Sequence, residues 1–94
     1  MSAEVRQTEA FRVWHRGLRD RKAQTVIAAR IGRVAQGNFG DCRPLGGGLF
    51  ELRIAFGPGY RLYYAIEDGR DVVLLCGGDK SSQSRDIAAA RAML

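Results

Sequence analysis

Apolar residues recur at helical spacing in the first part of the chain and at every second position after Asp41. Residues 3–7 (Ala-Glu-Val-Arg-Gln) alternate weakly and predict a short strand. Thr8 then offers an oxygen to cap a helix entered through Glu9-Ala10-Phe11. In that helix Phe11, Trp14 and Leu18 fall at i, i+3 and i+7 and make one buried stripe, while Arg12, Arg16 and Arg19 point elsewhere. A second helix starts at Asp20, carries Ala23, Ile27, Ile31 and Val34 on its inner face and stops at Gly37-Asn38, a pair suited to a C-cap. Together they predict a helix hairpin with a basic outer surface, which Trp14 and His15 serve structurally.

Beyond Asp41 the period is two. Phe50, Leu52 and Ile54 alternate with Glu51 and Arg53; after the Gly57-Pro58-Gly59 turn, Leu62, Tyr64 and Ile66 alternate with Arg61, Tyr63 and Ala65. Gly46-Gly47-Gly48 reads as a turn rather than a phosphate-cradling loop. Val72-Val73-Leu74-Leu75-Cys76 is a continuous apolar run, expected of a strand that is central or covered on both faces. Gly77-Gly78-Asp79-Lys80 is expected to break it with a sharp turn, and Ser81 or Ser82 to cap a last helix in which Ile87, Ala90 and Leu94 share a face. In that helix Gln83 and Asp86 fit the first turn, where the dipole favours an acid.

These elements predict one α+β domain over residues 1–94: an N-terminal helix hairpin on one face of a small antiparallel sheet of three or four strands, closed by a short C-terminal helix. The opposite sheet face, left uncovered, is where function is expected.

Charge changes the picture more than composition does. With 46% apolar residues and mean hydropathy −0.21 the chain reads as a soluble globular domain. No apolar run approaches the roughly 20 residues a bilayer requires, and the N-terminus lacks a signal-peptide core, so a cytoplasmic protein without membrane contact is expected. The net charge of +5 favours a polyanionic partner, and residues 1–45, with nine Lys/Arg against four acids, carry all of the excess. Thirteen of the fifteen cations are Arg, the residue that grips phosphate with two parallel bonds, although a GC-rich genome produces the same bias. Cys42 and Cys76 stand apart with no metal or redox spacing, so no metal and no organic cofactor is expected; Cys76 reads as a small buried hydrophobe.

Alternation places Glu51 and Arg53 on the face opposite Phe50, Leu52 and Ile54, and their hairpin partners Arg61 and Tyr63 on that same face. Lys80, just past the third strand, can reach the same patch. Arg53, Arg61 and Lys80 are therefore the candidate RNA-binding residues, and with Tyr63 the candidate catalytic ones; Glu51 is expected to orient Arg53. Metal-free RNA cleavage requires attack by the 2′-oxygen, stabilisation of charge on the phosphoryl oxygens and a proton for the departing 5′-oxygen. The cations meet the second need. For proton transfer, with His15 on the first helix, the remaining candidates are Tyr63 or Lys80, with a pKa lowered by neighbouring cations. The plainer alternatives are solvated sheet residues, or for Tyr63 a residue that stacks on a base or packs on a helix.

Three blocks carry a resemblance: Leu49-Phe50-Glu51-Leu52-Arg53-Ile54, then Gly57-Pro58-Gly59-Tyr60-Arg61-Leu62-Tyr63-Tyr64, then Leu74 through Ile87. In this order and spacing the chain resembles the "addiction module killer protein" group, the phage Gp49-like and HigB-like toxins of the RelE/ParE superfamily. The resemblance implies a toxin restrained by a cognate antitoxin and, when freed, cleaving mRNA as an endoribonuclease (mRNA interferase), commonly on the ribosome. It also implies that operator DNA is met only through the antitoxin complex. Basic residues on the central strands and near the last strand's end do the family's chemistry, and Arg53, Arg61 and Lys80 fit those places. No Tyr or His follows Lys80, unlike in some RelE and HigB toxins, so the resemblance does not assign the proton carrier. The same superfamily includes ParE-like toxins that bind DNA gyrase without cleaving RNA, and a non-catalytic RNA-binding module is the third alternative.

Overall fold

The computed structural model describes residues 4–94. These form, in order, β1 (Val5–Gln7), α1 (Glu9–Arg16), α2 (Arg21–Ala35), β2 (Cys42–Gly46), β3 (Leu49–Ile54), β4 (Tyr60–Glu67), β5 (Asp71–Asp79), a 3-10 turn (Lys80–Ser82) and α3 (Gln83–Ala92). Of the strand expected over 3–7, Ala3 lies outside the described residues.

The helix starts follow from their caps. Thr8 Oγ accepts from the Phe11 amide at 3.1 Å while its hydroxyl donates to the Leu75 carbonyl at 2.6 Å, tying the start of α1 to the sheet. Asp20 accepts from the amides of Lys22 and Ala23. At the far end of α2 Gly37, at φ +89°, takes the left-handed turn. Ser82 holds the N-cap position of α3 without capping it; the carboxylate that caps is Asp79, which accepts from the Ser81 amide at 2.8 Å at the entry to the 3-10 turn.

The sheet has five strands in the order β1-β5-β4-β3-β2. It is mixed rather than purely antiparallel, because β1 runs parallel to β5, while α1 and α2 lead from β1 to β2 at the opposite edge; the other pairs are antiparallel. Phe11, Ala23, Ile27 and Val34 pack on one face against Leu52, Leu62, Tyr64, Val72 and Leu74. The opposite face is not left open as expected. Ile87 and Ala90 of α3 cover its middle, over Leu49, Tyr63, Val73 and Leu75. Leu94, expected on that buried stripe, lies past the helix end and is exposed, as is Ile66 near the end of β4.

A bulge explains the unbroken apolar run. Tyr63 pairs with Cys76 but Tyr64 pairs with Leu74, so Leu75 is an extra residue and both Leu75 and Cys76 turn toward α3. Past the bulge the phase is reversed, and β5 continues through Asp79 instead of breaking at the glycines. Gly77 and Gly78 are strand residues whose missing side chains admit neighbours on opposite faces. A Cβ on Gly77 would stand 2.3 Å from the Trp14 ring, and one on Gly78 1.8 Å from Asp86 Oδ2. Gly47 and Gly48, both at positive φ, form the two-residue turn between β2 and β3.

Candidate functional site

The end of the sheet beyond α3 brings together the last residues of β3, the first of β4 and the exit of β5. Arg53 and Arg61 are direct cross-strand partners there. Two like charges face to face are unfavourable unless a counter-charge stands between them. Glu51 supplies it. Fully buried, its Oε1 accepts from Arg53 Nε at 3.0 Å and Arg43 Nε at 3.1 Å and lies 3.5 Å from Arg61 Nη1, while Oε2 accepts from Gln83 Nε2 at 2.9 Å. Burial alone would raise the Glu51 pKa, but the hydrogen bonds from Arg53 and Gln83 and the charge of Arg43 outweigh it and leave the carboxyl below its ordinary value.

Because Arg43 and Arg53 are held through Nε, their terminal guanidinium nitrogens remain free to face outward. That end-on edge still offers two parallel donors to a phosphate. Arg53, Arg61 and Lys80 line one depression of about 480 Å³, whose far wall is the Ala55–Gly59 turn. Asp41 contributes the only carboxylate among the lining residues. A site with several cations around a single buried anion holds net positive charge at its surface.

Tyr63 stands apart. It pairs across the strands with Glu51, beneath α3, fully buried and outside the depression. The expectation that neighbouring cations lower its pKa is reversed: burial and the nearby Glu51 and Asp86 charges raise it, against a smaller opposing effect of Arg61. The phenol therefore stays protonated at neutral pH and can donate but not act as a base. Among the described residues neither its hydroxyl nor Arg61 Nη1, both buried, finds a hydrogen-bond partner. Cys76, also near Asp86, is pushed up to about 11 by burial and that charge, in keeping with a packing role.

Three supporting residues escape a reading of the chain alone. Arg43 is hidden by a register shift between Pro44 and Gly46, which pairs it with Glu51 where simple hairpin counting does not. Gln83 reaches back from α3 to Glu51. Arg30, one of the nine cations of residues 1–45, points inward. Its guanidinium donates to the carbonyls of Phe39, Asp41 and Arg53, with distances of 2.8 Å to Arg53 and 2.9 Å to Asp41. The Arg53 amide in turn donates to the Asp41 carbonyl at 2.9 Å. Gly40, at φ +66°, lies so close that a Cβ there would meet Arg30 Nη2 at 2.9 Å. Nothing along the chain pairs Gly40 with the distant Arg30, so no local signal marks this contact. His15, as expected, serves the helices: its Nε2 is 3.0 Å from the Gln24 carbonyl.

A model of the phage-derived Gp49-like protein family (DUF891) matches residues 16–93, which takes in all of the site. The chain belongs to that family. It is 45% identical over 91 residues to an uncharacterized protein of Haemophilus influenzae, covering 97% of this chain and 92% of the other. Among solved structures it is similar to a chain of the RelBE2 toxin–antitoxin complex from Mycobacterium tuberculosis. That match has 27% identity and a TM-score of 0.65, over 85% of this chain and all of the other. Family and fold together place the protein in the RelE-like group, with its five-stranded sheet and three helices.

Proposed function

We propose that the protein is the toxin of a type II toxin–antitoxin pair and acts in the cytoplasm as an mRNA endoribonuclease of the interferase type. The observation that carries this reading is the convergence of Arg53, Arg61 and Lys80 on one depression, around a carboxylate that holds two arginines by Nε and leaves their phosphate-binding ends free. The likeness to a chain of a solved toxin–antitoxin complex supports a cognate antitoxin as its partner. Operator DNA is met only through that complex.

In the reaction the 2′-oxygen of the substrate attacks the adjacent phosphorus, the bond to the 5′-oxygen breaks, and a 2′,3′-cyclic phosphate and a free 5′-hydroxyl result. Arg53 and Arg61 stabilise charge developing on the phosphoryl oxygens. The Lys80 ammonium, exposed at the rim, delivers the proton to the departing oxygen. Asp41, the carboxylate of the depression, takes the 2′-hydroxyl proton. Tyr63 does not act as a base, since burial keeps its phenol protonated. The mRNA is met on the ribosome. No step passes through a metal.

Primer extension on a reporter mRNA, after induction in cells lacking the antitoxin, tests the reading. New 5′ ends and growth arrest are expected from the wild type, and loss of about 10²–10³ in cleavage from Lys80→Ala, the usual cost of one well-placed donor. Growth arrest with intact mRNA overturns the reading and makes gyrase the next target. Strong RNA binding with neither cleavage nor arrest leaves only a binding module.

A further inference from the structure

A second depression, of about 330 Å³, lies beside the first, between the start of α2 and the turn after β3. Phe56 lines both. The wall of the second is apolar, made by Val26 and the Phe56 ring, and Thr25 does not change that because its hydroxyl is turned back to the Arg21 carbonyl at 3.1 Å. Its rim carries Arg21 and Lys22, whose charged groups are engaged in no hydrogen bond or ion pair among the described residues. The helix amides take no part, since the Asp20 carboxylate already accepts from those of Lys22 and Ala23. The fold thus sets an aromatic face flanked by two free cations next to a cationic depression that shares the same ring.

We infer that this second depression is a nucleotide subsite, in which a base next to the bound phosphodiester stacks on Phe56 and its phosphate is held by Arg21 and Lys22. The chemistry is that of single-strand binding, where one aromatic ring per base and cations along the backbone suffice without sequence readout. Charge complementarity selects the occupant: an apolar wall alone would suit a protein side chain, but a wall rimmed by two unpaired cations, joined through Phe56 to the depression of Arg53, Arg61 and Lys80, suits a polyanionic strand with flat bases. The inference rests on RNA being the ligand of the first depression, and not on its being cleaved there.

The test uses the whole protein with fluorescein-labelled RNA carrying 2′-O-methyl groups, so that binding is read without cleavage. A dinucleotide and an oligonucleotide long enough to cross both depressions are compared by anisotropy across a salt series. The longer strand is expected to bind the wild type more tightly than the dinucleotide. Arg21→Ala with Lys22→Ala removes much of that advantage and lowers the salt slope by about 1.4, the value for two single-strand phosphate contacts. Phe56→Leu weakens the longer strand by about fivefold or more while leaving the dinucleotide nearly unaffected. As Phe56 also touches the core, the Arg21/Lys22 pair, exposed and free of packing duties, keeps the test independent of folding. Equal affinity and equal salt slope in wild type and the double variant for the longer strand overturn the subsite. Length-dependent binding lost in the variants, from a wild type that leaves the reporter mRNA intact when induced in cells lacking the antitoxin, sustains the subsite and refutes the nuclease.

Discussion

Replacing Glu51 by Gln removes one charge and almost no volume, and so isolates what the buried carboxylate does. Arg43 and Arg53 have side chains 50% and 37% exposed. Water replaces much of what they lose, and each of those bonds counts for about 0.5–1 kcal/mol. Arg61 is different, with a side chain only 12% exposed and Nη1 already without a hydrogen-bond partner. Left without its counter-charge it costs roughly 1–2 kcal/mol more. The Gln83 bond loses its charge assistance, about 0.5 kcal/mol. The total is roughly 3 kcal/mol, or a fall in Tm of about 12–24 °C for a domain of this size. Urea unfolding read by the fluorescence of Trp14, the only tryptophan, which packs between Phe11 and Tyr60, measures it directly. The midpoint should fall while the dependence on denaturant stays the same, since the surface exposed on unfolding does not change. Adding Arg61→Met should recover part of the loss, because the stranded charge goes with it. A midpoint shift worth less than about 0.5 kcal/mol, or no recovery in the double variant, would refute the assignment of Glu51 as the counter-charge that allows these arginines to converge.

The same carboxyl predicts a pH dependence. Its folded pKa lies below the ordinary 4.5, so its contribution is complete above about that pH and is lost as pH falls through the folded value. Asp79, lowered first by its hydrogen bond from the Ser81 hydroxyl, adds in the same direction; acid titration of stability should steepen below pH 4.5, and less so in Glu51→Gln. Arg30→Met should destabilise by about 2–4 kcal/mol in thermal unfolding, since it takes the guanidinium donors from the part-buried carbonyls of Phe39 and Arg53, while the Asp41 carbonyl keeps the Arg53 amide. In contrast, Arg33→Met on the exposed side of α2 should change little. Gly78→Ala should lower stability by about 1–3 kcal/mol, because its Cβ would displace the Asp86 carboxylate and the Ser82 hydroxyl that donates to it. Gly32→Ala, with nothing within 4 Å, should raise stability by about 0.5–1 kcal/mol by helix propensity alone.

What the chain determines by itself is what neighbouring residues decide. Thr8 and Asp20 as caps, the stripe of Phe11, Ala23, Ile27 and Val34, and the alternation that puts Glu51, Arg53 and Arg61 on one face all follow from the pitch of a helix and the pleat of a strand. So Arg53, Arg61 and Lys80 could be named as neighbours before any tertiary structure. Only the tertiary structure decides which of two faces a residue meets once register slips. The extra residue at Leu75 turns Gly77 toward Trp14 and Gly78 toward Asp86, and the shift between Pro44 and Gly46 brings Arg43 to Glu51. It also decides that α3 covers Tyr63, turning a candidate proton carrier into a buried donor, and that Arg30 turns inward to hold the backbone of Arg53. Bulges and the closing helix are set by packing over the whole sheet, where burying Leu49, Leu75 and Ala90 together outweighs the preference of any single strand for unbroken alternation, and no local window contains that balance.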